Sequence, residues 1–595
     1  MQPPRARRRC CAFSRVSCHA LVLLVDGDDV VTPRLAAAKP AVRRPPRKRK
    51  EESAPPAPPS PRSNGTTSDA KLLTVGIGGC ATGDELLRFA EEHGASFNAI
   101  NVSAALSKLA KLQPDKHKHD PRTSALVGLA GAKLGQMGPQ ALANTIWAVA
   151  KLGLRPAWLP LWFSVTQAKL PELAPQGLSN VVYSLALLDA KPSAEWLVEL
   201  WRVTKAVLTH DTVGRSFCSQ QQSNLMYGLG VLRLRPPPDW MAAFMAAQDG
   251  AAASDAPHTP QALCNILWGV ATLGIAPPAA WLSRFEAATL DQIPTFPAQA
   301  LSNLLYAFGV LRFRPGGLWM RAFFAASRLR MDSFTPQHCC NIIHALACLC
   351  VVPRPRWVAA WCGRMLKLLS SNGGADGGVT LQGVTVCLWA LAVLQQYGCS
   401  AFAPLWARAE AAAPTLVASE PWASEALHSL YCVHLAALAE APGFLRRPPA
   451  EQLLRAARAE WGAVRARRTA KAVSREHAGV VKALTSLGVA HASEHVCEHT
   501  ERAIDIVLPV QRVAIEVDGP QHFVMGDGGG VTGASALRCA SRERELISSR
   551  SLFYSISDAR PRSVAERPAA GARGLDRRVP PRAKAVRHNH RRVQP

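Results

Sequence analysis

From Pro139 the chain reads PQALANTIWAVAKLGLRP, from Pro260 PQALCNILWGVATLGIAPP, and from Pro297 PAQALSNLLYAFGVLRFRP. Apolar residues return at three- and four-residue intervals in each stretch, the period of an amphipathic helix. One Gln and one Asn interrupt that face at fixed places. Aligned on the Asn, the copies fall at Asn144, Asn180, Asn224, Asn265, Asn303 and Asn341, with Asn101 as a weaker first copy and Val386 where a later Asn would stand. The spacings run from 36 to 45 residues. A period near 40 residues with two helical segments per copy predicts an α-solenoid of helical pairs.

The offsets inside each copy are tighter than the period, as expected if insertions are confined to loops while helices must mesh. Four residues before the Asn position stands a Gln: Gln140, Gln176, Gln220, Gln261, Gln299, Gln337 and Gln382. Three residues after it comes Trp147, Tyr183, Tyr227, Trp268, Tyr306, His344 or Trp389, and eight after it a Leu. Sixteen residues past it a Trp opens a second segment at Trp196, Trp240, Trp281, Trp319 and Trp357; in the Asn144 copy that Trp is Trp158. Offsets of 3, 4 and 8 predict that the aromatic, the small residue after it and the Leu share the packing side of the helix. The Gln and Asn, one turn apart, have two readings: side chains that hydrogen-bond between repeats and fix their register, or side chains that contact nucleic-acid bases. The Trp reads as core, with a base-stacking platform as its alternative. Between the segments lie GLRPAW, AKPSAEW, LRPPPDW, IAPPAAW and PRPRW, where Pro ends one helix and starts the next.

At 595 residues the chain is too long for one compact core. Its formal charge of +26 is concentrated at the ends: residues 1–50 carry a net +10 and residues 560–595 a net +9, leaving about +7 between them. Charge alone therefore does not argue for a nucleic-acid groove. The 16 cysteines form no CxxC pair, and Cys264, Cys339, Cys340, Cys348 and Cys387 sit among Leu and Ala as small apolar residues. No apolar run is long enough to span a membrane. The Arg- and Ser-rich start, followed by SAPPAPPSPRSNG, predicts an organelle transit peptide and linker over residues 1–65; RRPPRKRK offers a nuclear signal as the competing reading.

Pro236, Pro237, Pro238, Asp239 and Trp240 reproduce the Pro-Pro-Pro-Glu/Asp-Trp signature of octotricopeptide repeat proteins of green-algal organelles, which the chain resembles over residues 95–440. The resemblance implies an α-solenoid that binds single-stranded RNA, each repeat addressing about one nucleotide. Further on, after an Arg/Ala-rich helical linker over 446–488, ERAIDIVLPVQRVAIEVDGPQHF alternates apolar and polar residues as two adjacent strands ending in a loop. Its acids Asp505, Glu516 and Asp518, with Gln521 and His522 behind them, are the residue types of a Mg²⁺-dependent nuclease. The stretch AIEVDGPQHF resembles the RAP domain, a small α/β fold similar to restriction endonucleases, placed here at 489–558. The resemblance makes Asp505 and Glu516 the two acids of that fold, and Mg²⁺ ligands if the domain is a nuclease. Asp518 stands where the usual Lys would be, which weakens a standard nuclease site. The run HASEHVCEHT offers His491, His495, Cys497 and His499 as ligand types without a completing pair.

The sequence thus predicts a mainly α chain: a solenoid of repeats of about 38–40 residues, a small restriction-endonuclease-like RAP domain, and a basic tail over 559–595. The expected function is sequence-selective binding of single-stranded organelle RNA, in the chloroplast or, alternatively, the mitochondrion, for stabilisation, processing, splicing or translation, with no cofactor. A Mg²⁺-dependent ribonuclease and a protein-binding scaffold are the alternatives, and other RNA-processing proteins are expected partners. Arg155, Arg235, Arg314 and Arg356, at the helix junctions, are the candidate phosphate contacts.

Overall fold

The computed structural model describes residues 65–112, 114–209, 216–252, 258–370, 378–412, 423–441, 450–469, 475–496, 503–511, 513–518, 523–525, 531–535 and 552–557. The expected transit segment and basic tail lie outside them. The described residues fall into two compact units, one within Cys18–Phe217 and Pro236–Ala243, the other within Cys218–Arg235 and Phe244–Pro595.

The chain begins with α1 (Gly65–Gly79), α2 (Gly83–His93), α3 (Ala99–Leu109), α4 (Pro114–His117) and α5 (Pro121–Lys133). Helical pairs follow: α6 (Pro139–Lys151) with α7 (Leu159–Gln167), α8 (Pro175–Leu187) with α9 (Ala194–Leu208), α10 (Ser219–Leu232) with α11 (Pro238–Ala252), and α12 (Pro260–Thr272) with α13 (Ala279–Leu290). Then come α14 (Ala298–Leu311) with α15 (Gly317–Leu329), α16 (Pro336–Cys348) with α17 (Pro355–Ser370), and α18 (Leu381–Val393) with α19 (Phe402–Ala411). Helices α20 (Ala423–Glu440), α21 (Glu451–Thr469) and α22 (Arg475–Ser486) lead to the strands. The pairing read from the sequence is present: each aligned Asn, and Val386 in α18, is the sixth residue of its helix, and Asn265 and Asn303 occupy equivalent places on the packed neighbours α12 and α14.

Asn101 is the exception. Helix α3 starts at Ala99, so its sixth residue is Ala104, 40 residues before Asn144. Asn101 instead sits one turn earlier, closing a capping box with Asn98 and donating its amide to Ala70 O at 3.0 Å and Thr74 Oγ1 at 2.9 Å.

The first helix of each pair except α10, whose N-cap is Cys218, opens with a fixed φ or a hydroxyl cap. Pro139, Pro175, Pro260 and Pro336 take the first helical position, and Thr259, Thr335 and Thr380 accept a backbone N–H one turn inside. Each also ends alike, on a left-handed residue nine places past the Asn position: Gly153, Asp189, Arg233, Gly274, Arg312, Cys350 and Gln395. The N–H groups around that residue reach back into the last turn, as in Arg312 to Gly309 O at 3.2 Å and Phe313 to Phe308 O at 3.1 Å. Five of these seven caps carry a side chain in a conformation that costs an L-residue about 1–2 kcal/mol.

Two seams hold successive repeats together. Where α10 and α12 cross, Gly269 lies so close to Met226 that a Cβ there would stand 2.4 Å from the Met226 carbonyl oxygen, and Gly309 of α14 meets Ala345 of α16 in the same way. Beside this seam the residue before the Asn position donates to the next helix: Ser103 to Ala141 O at 3.1 Å, Cys264 to Ala300 O at 3.3 Å, Cys340 to Gly383 O at 3.6 Å. Along the second helices the signature Trp forms the other seam. Trp196, Trp240, Trp319 and Trp357 are at most 3% exposed, and each indole N–H donates to a buried hydroxyl on the preceding second helix. The acceptors are Thr166 at 3.3 Å, Thr204 at 2.8 Å, Thr289 at 2.9 Å and Ser327 at 2.9 Å. The Trp is core, as read.

Helix α21 packs on α20, with Trp461 stacked on His428 at 4.6 Å. Beyond α22, strands β1 (Ala492–Val496), β2 (Ala503–Leu508), β3 (Val513–Asp518) and β6 (Leu552–Ser557) form a sheet in the order β1-β2-β3-β6, and β4 (Phe523–Met525) pairs with β5 (Val531–Ser535) apart from it. Strands β1, β2 and β3 are antiparallel neighbours, while β6 joins β3 in parallel. No helix among the described residues is long and apolar enough to cross a membrane.

Candidate nucleic-acid interface

One flank of the first helices is open. Gln140, Gln176, Gln220, Gln261 and Gln299 are exposed, Asn144, Asn180, Asn224, Asn265 and Asn303 half-buried, and so are Trp147, Tyr183, Tyr227, Trp268, His344 and Trp389. The aromatic position therefore does not sit in the packing face that the sequence suggested. At about 100° per residue, offsets of −4 and +3 fall about 40° and 60° to one side of the Asn, whereas +4 and +8 fall on the other. The ring belongs to the Gln–Asn stripe; the small residue and the Leu belong to the seam.

In the second unit these rings line up from helix to helix. Tyr227 stands 5.5 Å from Trp268, Tyr306 6.0 Å from His344, and His344 5.5 Å from Trp389, all tilted by about 35°. In the first unit Lys111 lies 5.9 Å over the Trp147 ring. Burial holds the His344 imidazole well below its ordinary range, at about 4, and pushes the Tyr183 hydroxyl up. At neutral pH the row is therefore an uncharged strip of rings and amides, half-covered except at the buried Tyr306.

The amides are engaged unevenly. Asn265 donates to Ser223 Oγ at 3.2 Å between repeats, and Gln220 donates to Asn224 Oδ1 at 2.8 Å within one. The side-chain amides of Asn144, Asn180 and Asn303 have no partner among the described residues, and the buried Asn341 Oδ1 accepts no hydrogen bond. Register-fixing thus accounts for part of the Asn set. The pins that fix register across the second helices are the Thr and Ser residues, which sequence reasoning missed. Their signal was there: Thr166, Thr204, Thr289 and Ser327 each follow a signature Trp by eight residues.

Arg155, Arg235 and Arg356 are exposed and Arg314 is half-buried, with no ion-pair partner among the described residues. Arg155, Arg235 and Arg314 lie three or four residues past the C-terminal ends of α6, α10 and α14, whereas Arg356 is the second residue of α17.

In the sheet, the β2–β3 register pairs Ile506 with Ile515, and one step further sets Asp505 opposite Glu516. Asp505 Oδ2 accepts the Val517 N–H at 2.8 Å, and Asp518 lies across from Ser557 in β6. Gln521 and His522 lie outside the described residues, as do Cys497 and His499; His491 is bonded to Val489 O at 2.8 Å. The structure brings two residues to Asp505 that the sequence did not suggest, His477 of α22 and Glu494 of β1.

The arrangement defines a class: a helical-pair repeat protein with an open row of rings and amides, carrying a small mixed sheet. Residues 255–420 match the family model of the Tbc2 translation factor, N-terminal domain, and residues 127–254 that of the Tbc2 translation factor, C-terminal domain. The two matches fall just short of half the chain and stand in the reverse of the order their names give. No curated protein matches the chain.

Proposed function

We propose that this protein binds single-stranded RNA along the open row of its first helices and acts in organelle gene expression, in the chloroplast or alternatively the mitochondrion. On this reading the helical pairs are octotricopeptide repeats and the sheet is a RAP domain. Translation of the bound message is the outcome favoured by the translation-factor family that both matched segments share. The observation that carries the reading is the row itself: neutral, mostly half-covered rings 5.5–6.0 Å apart between neighbouring repeats of the second unit, beside Asn side chains of which Asn144, Asn180 and Asn303 have no partner among the described residues. Such a strip suits unstacked bases, whose faces and edges a duplex hides. Phosphates would be met at its edge by Arg155, Arg235, Arg314 and Arg356. The reversed order of the two matches supports a run of interchangeable repeats.

The test uses the full chain and fluorescence anisotropy with labelled single-stranded and duplex RNA. Base–aromatic stacking is worth about 1–3 kcal/mol per base, so Trp389→Ala should weaken single-strand binding roughly 5- to 150-fold. Duplex should bind far more weakly. Equal affinity for both forms, or binding indifferent to Trp389→Ala and Tyr227→Ala, would move the assignment to a protein-binding scaffold.

A further inference from the structure

We propose that His477, Glu494 and Asp505 form a binding site for one divalent first-row transition-metal ion, tying α22 to the sheet. The three residues come from three elements, α22, β1 and β2, and each offers one ligand atom within 4.8 Å of the other two. His477 Nδ1 lies 4.0 Å from Glu494 Oε1. The imidazole is 5% exposed and so fixed in place, while the Glu494 side chain, 40% exposed, has room on its solvent side for another rotamer. Asp505 spends Oδ2 on the Val517 N–H, which orients the carboxylate and leaves Oδ1 as a ligand. Glu494 is also a strand residue at φ 53, a conformation that turns it out of the regular alternation of β1.

Ligands about 2.1 Å from a metal stand about 3–3.5 Å from one another, so the set needs a closure of about 1 Å, within reach of one Glu rotamer. The residue types choose the ion. One imidazole and two carboxylates suit Mn²⁺, Fe²⁺, Co²⁺ or Zn²⁺, whereas Mg²⁺ takes oxygen ligands and water. This site is separate from the Asp505–Glu516 pair of a Mg²⁺ nuclease: it shares one acid, needs neither Glu516 nor any cleavage, and does not rest on the RNA reading.

Mn²⁺ is the probe of choice, since the chain's many thiols bind it poorly. The full chain, stripped with EDTA, is titrated with MnCl₂ and separately with MgCl₂, with binding followed by calorimetry and stability by thermal melting. One Mn²⁺ per chain is expected, with Kd at least tenfold tighter than for Mg²⁺ and a melting temperature that rises with Mn²⁺ concentration. His477→Ala should weaken Mn²⁺ binding tenfold or more. Glu494→Gln, at a more exposed position that leaves the fold intact by circular dichroism, should do the same. Absence of saturable Mn²⁺ binding by the folded wild type, equal affinity for Mg²⁺, or retention of Mn²⁺ binding by folded Glu494→Gln would each overturn the proposal.

Discussion

The indole–hydroxyl pins between second helices make a quantitative demand on stability, and Thr289 is the place to test it. Its side chain is fully buried; Oγ1 accepts the Trp319 indole N–H at 2.9 Å and donates to Glu286 O at 2.9 Å. Thr289→Val keeps the shape and removes both bonds. The Glu286 carbonyl retains its helical environment, but the Trp319 N–H, on a residue 1% exposed, is left without an acceptor. An orphaned buried donor costs about 1–3 kcal/mol. Trp319→Phe removes the donor along with part of a core ring and should cost about 2–3 kcal/mol by itself. In the double variant no orphan remains, so the two effects should fall short of additive by about 1–2 kcal/mol. Urea unfolding of the full chain measures all three. Hydrogen exchange of α13 and α15 localises the loss, since each interface of a repeat array contributes separately. Thr209→Val, at an exposed helix end, should stay within about 0.5 kcal/mol of wild type. A Thr289→Val cost below about 0.3 kcal/mol, or strict additivity with Trp319→Phe, would refute the claim that these bonds fix the register.

The seam between first helices makes a second test: Gly269→Ala gains helix propensity worth about 1 kcal/mol yet must move the Met226 backbone, so the variant should lose about 1–3 kcal/mol net in urea unfolding, and a stabilised variant would show that the seam is not close-packed. The ring row makes a third, in pH. His344 titrates at about 4 in the folded chain, below its ordinary 6.5, so the unfolded state takes up its proton first; stability should fall as pH drops from about 6.5 to about 4 and level off below. Allowing for its partial exposure, the loss should be about 1–2 kcal/mol, and His344→Phe should remove that component from the pH profile of the melting temperature.

The repeat was legible because its helices mesh and tolerate no insertion, so the Asn and the Trp keep fixed offsets while loops absorb the variation in period. The α-helical pairs, their order and the buried Trp follow from that pattern alone. Three features did not follow, for different physical reasons. The open placement of the aromatic does not follow from grouping offsets of 3 and 8 on one side, because on a 3.6-residue helix they lie about 140° apart. In the first copy the anchor is not an Asn: LAKLQP matches VAKLGLRP, which puts Ala104 and not Asn101 at the anchor. The left-handed caps were hidden because five of seven are Asp, Arg, Cys or Gln, where a sequence reader looks for Gly. In the sheet, Asp505 and Glu516 were legible as neighbours from strand alternation, but His477 reaches Asp505 from a helix nearly thirty residues earlier, a separation no local pattern encodes.

The two faces of the first helices are under different constraints, and the chain's own copies show it. On the seam side, positions that cross a neighbour's backbone stay small: Ala148, Ser184, Gly228, Gly269, Ala307, Ala345 and Ala390 all stand four residues past the anchor. At Gly269 even a Cβ would stand 2.4 Å from the Met226 carbonyl oxygen, so this side varies only among Gly, Ala and Ser. On the other side the anchor is Asn in six aligned copies, half-buried in five and buried at Asn341, while the ring beside it changes among Trp, Tyr and His. An Asn side chain that no partner holds, as at Asn144, Asn180 and Asn303, suits a feature that recurs with every unit of a bound polymer, such as a ribose or a phosphate. The varied ring suits what changes from unit to unit. On the RNA reading, Asn303→Ala should therefore weaken binding to all sequences alike, whereas exchanging the half-buried Tyr227 for Trp should shift preference among sequences with little change in mean affinity.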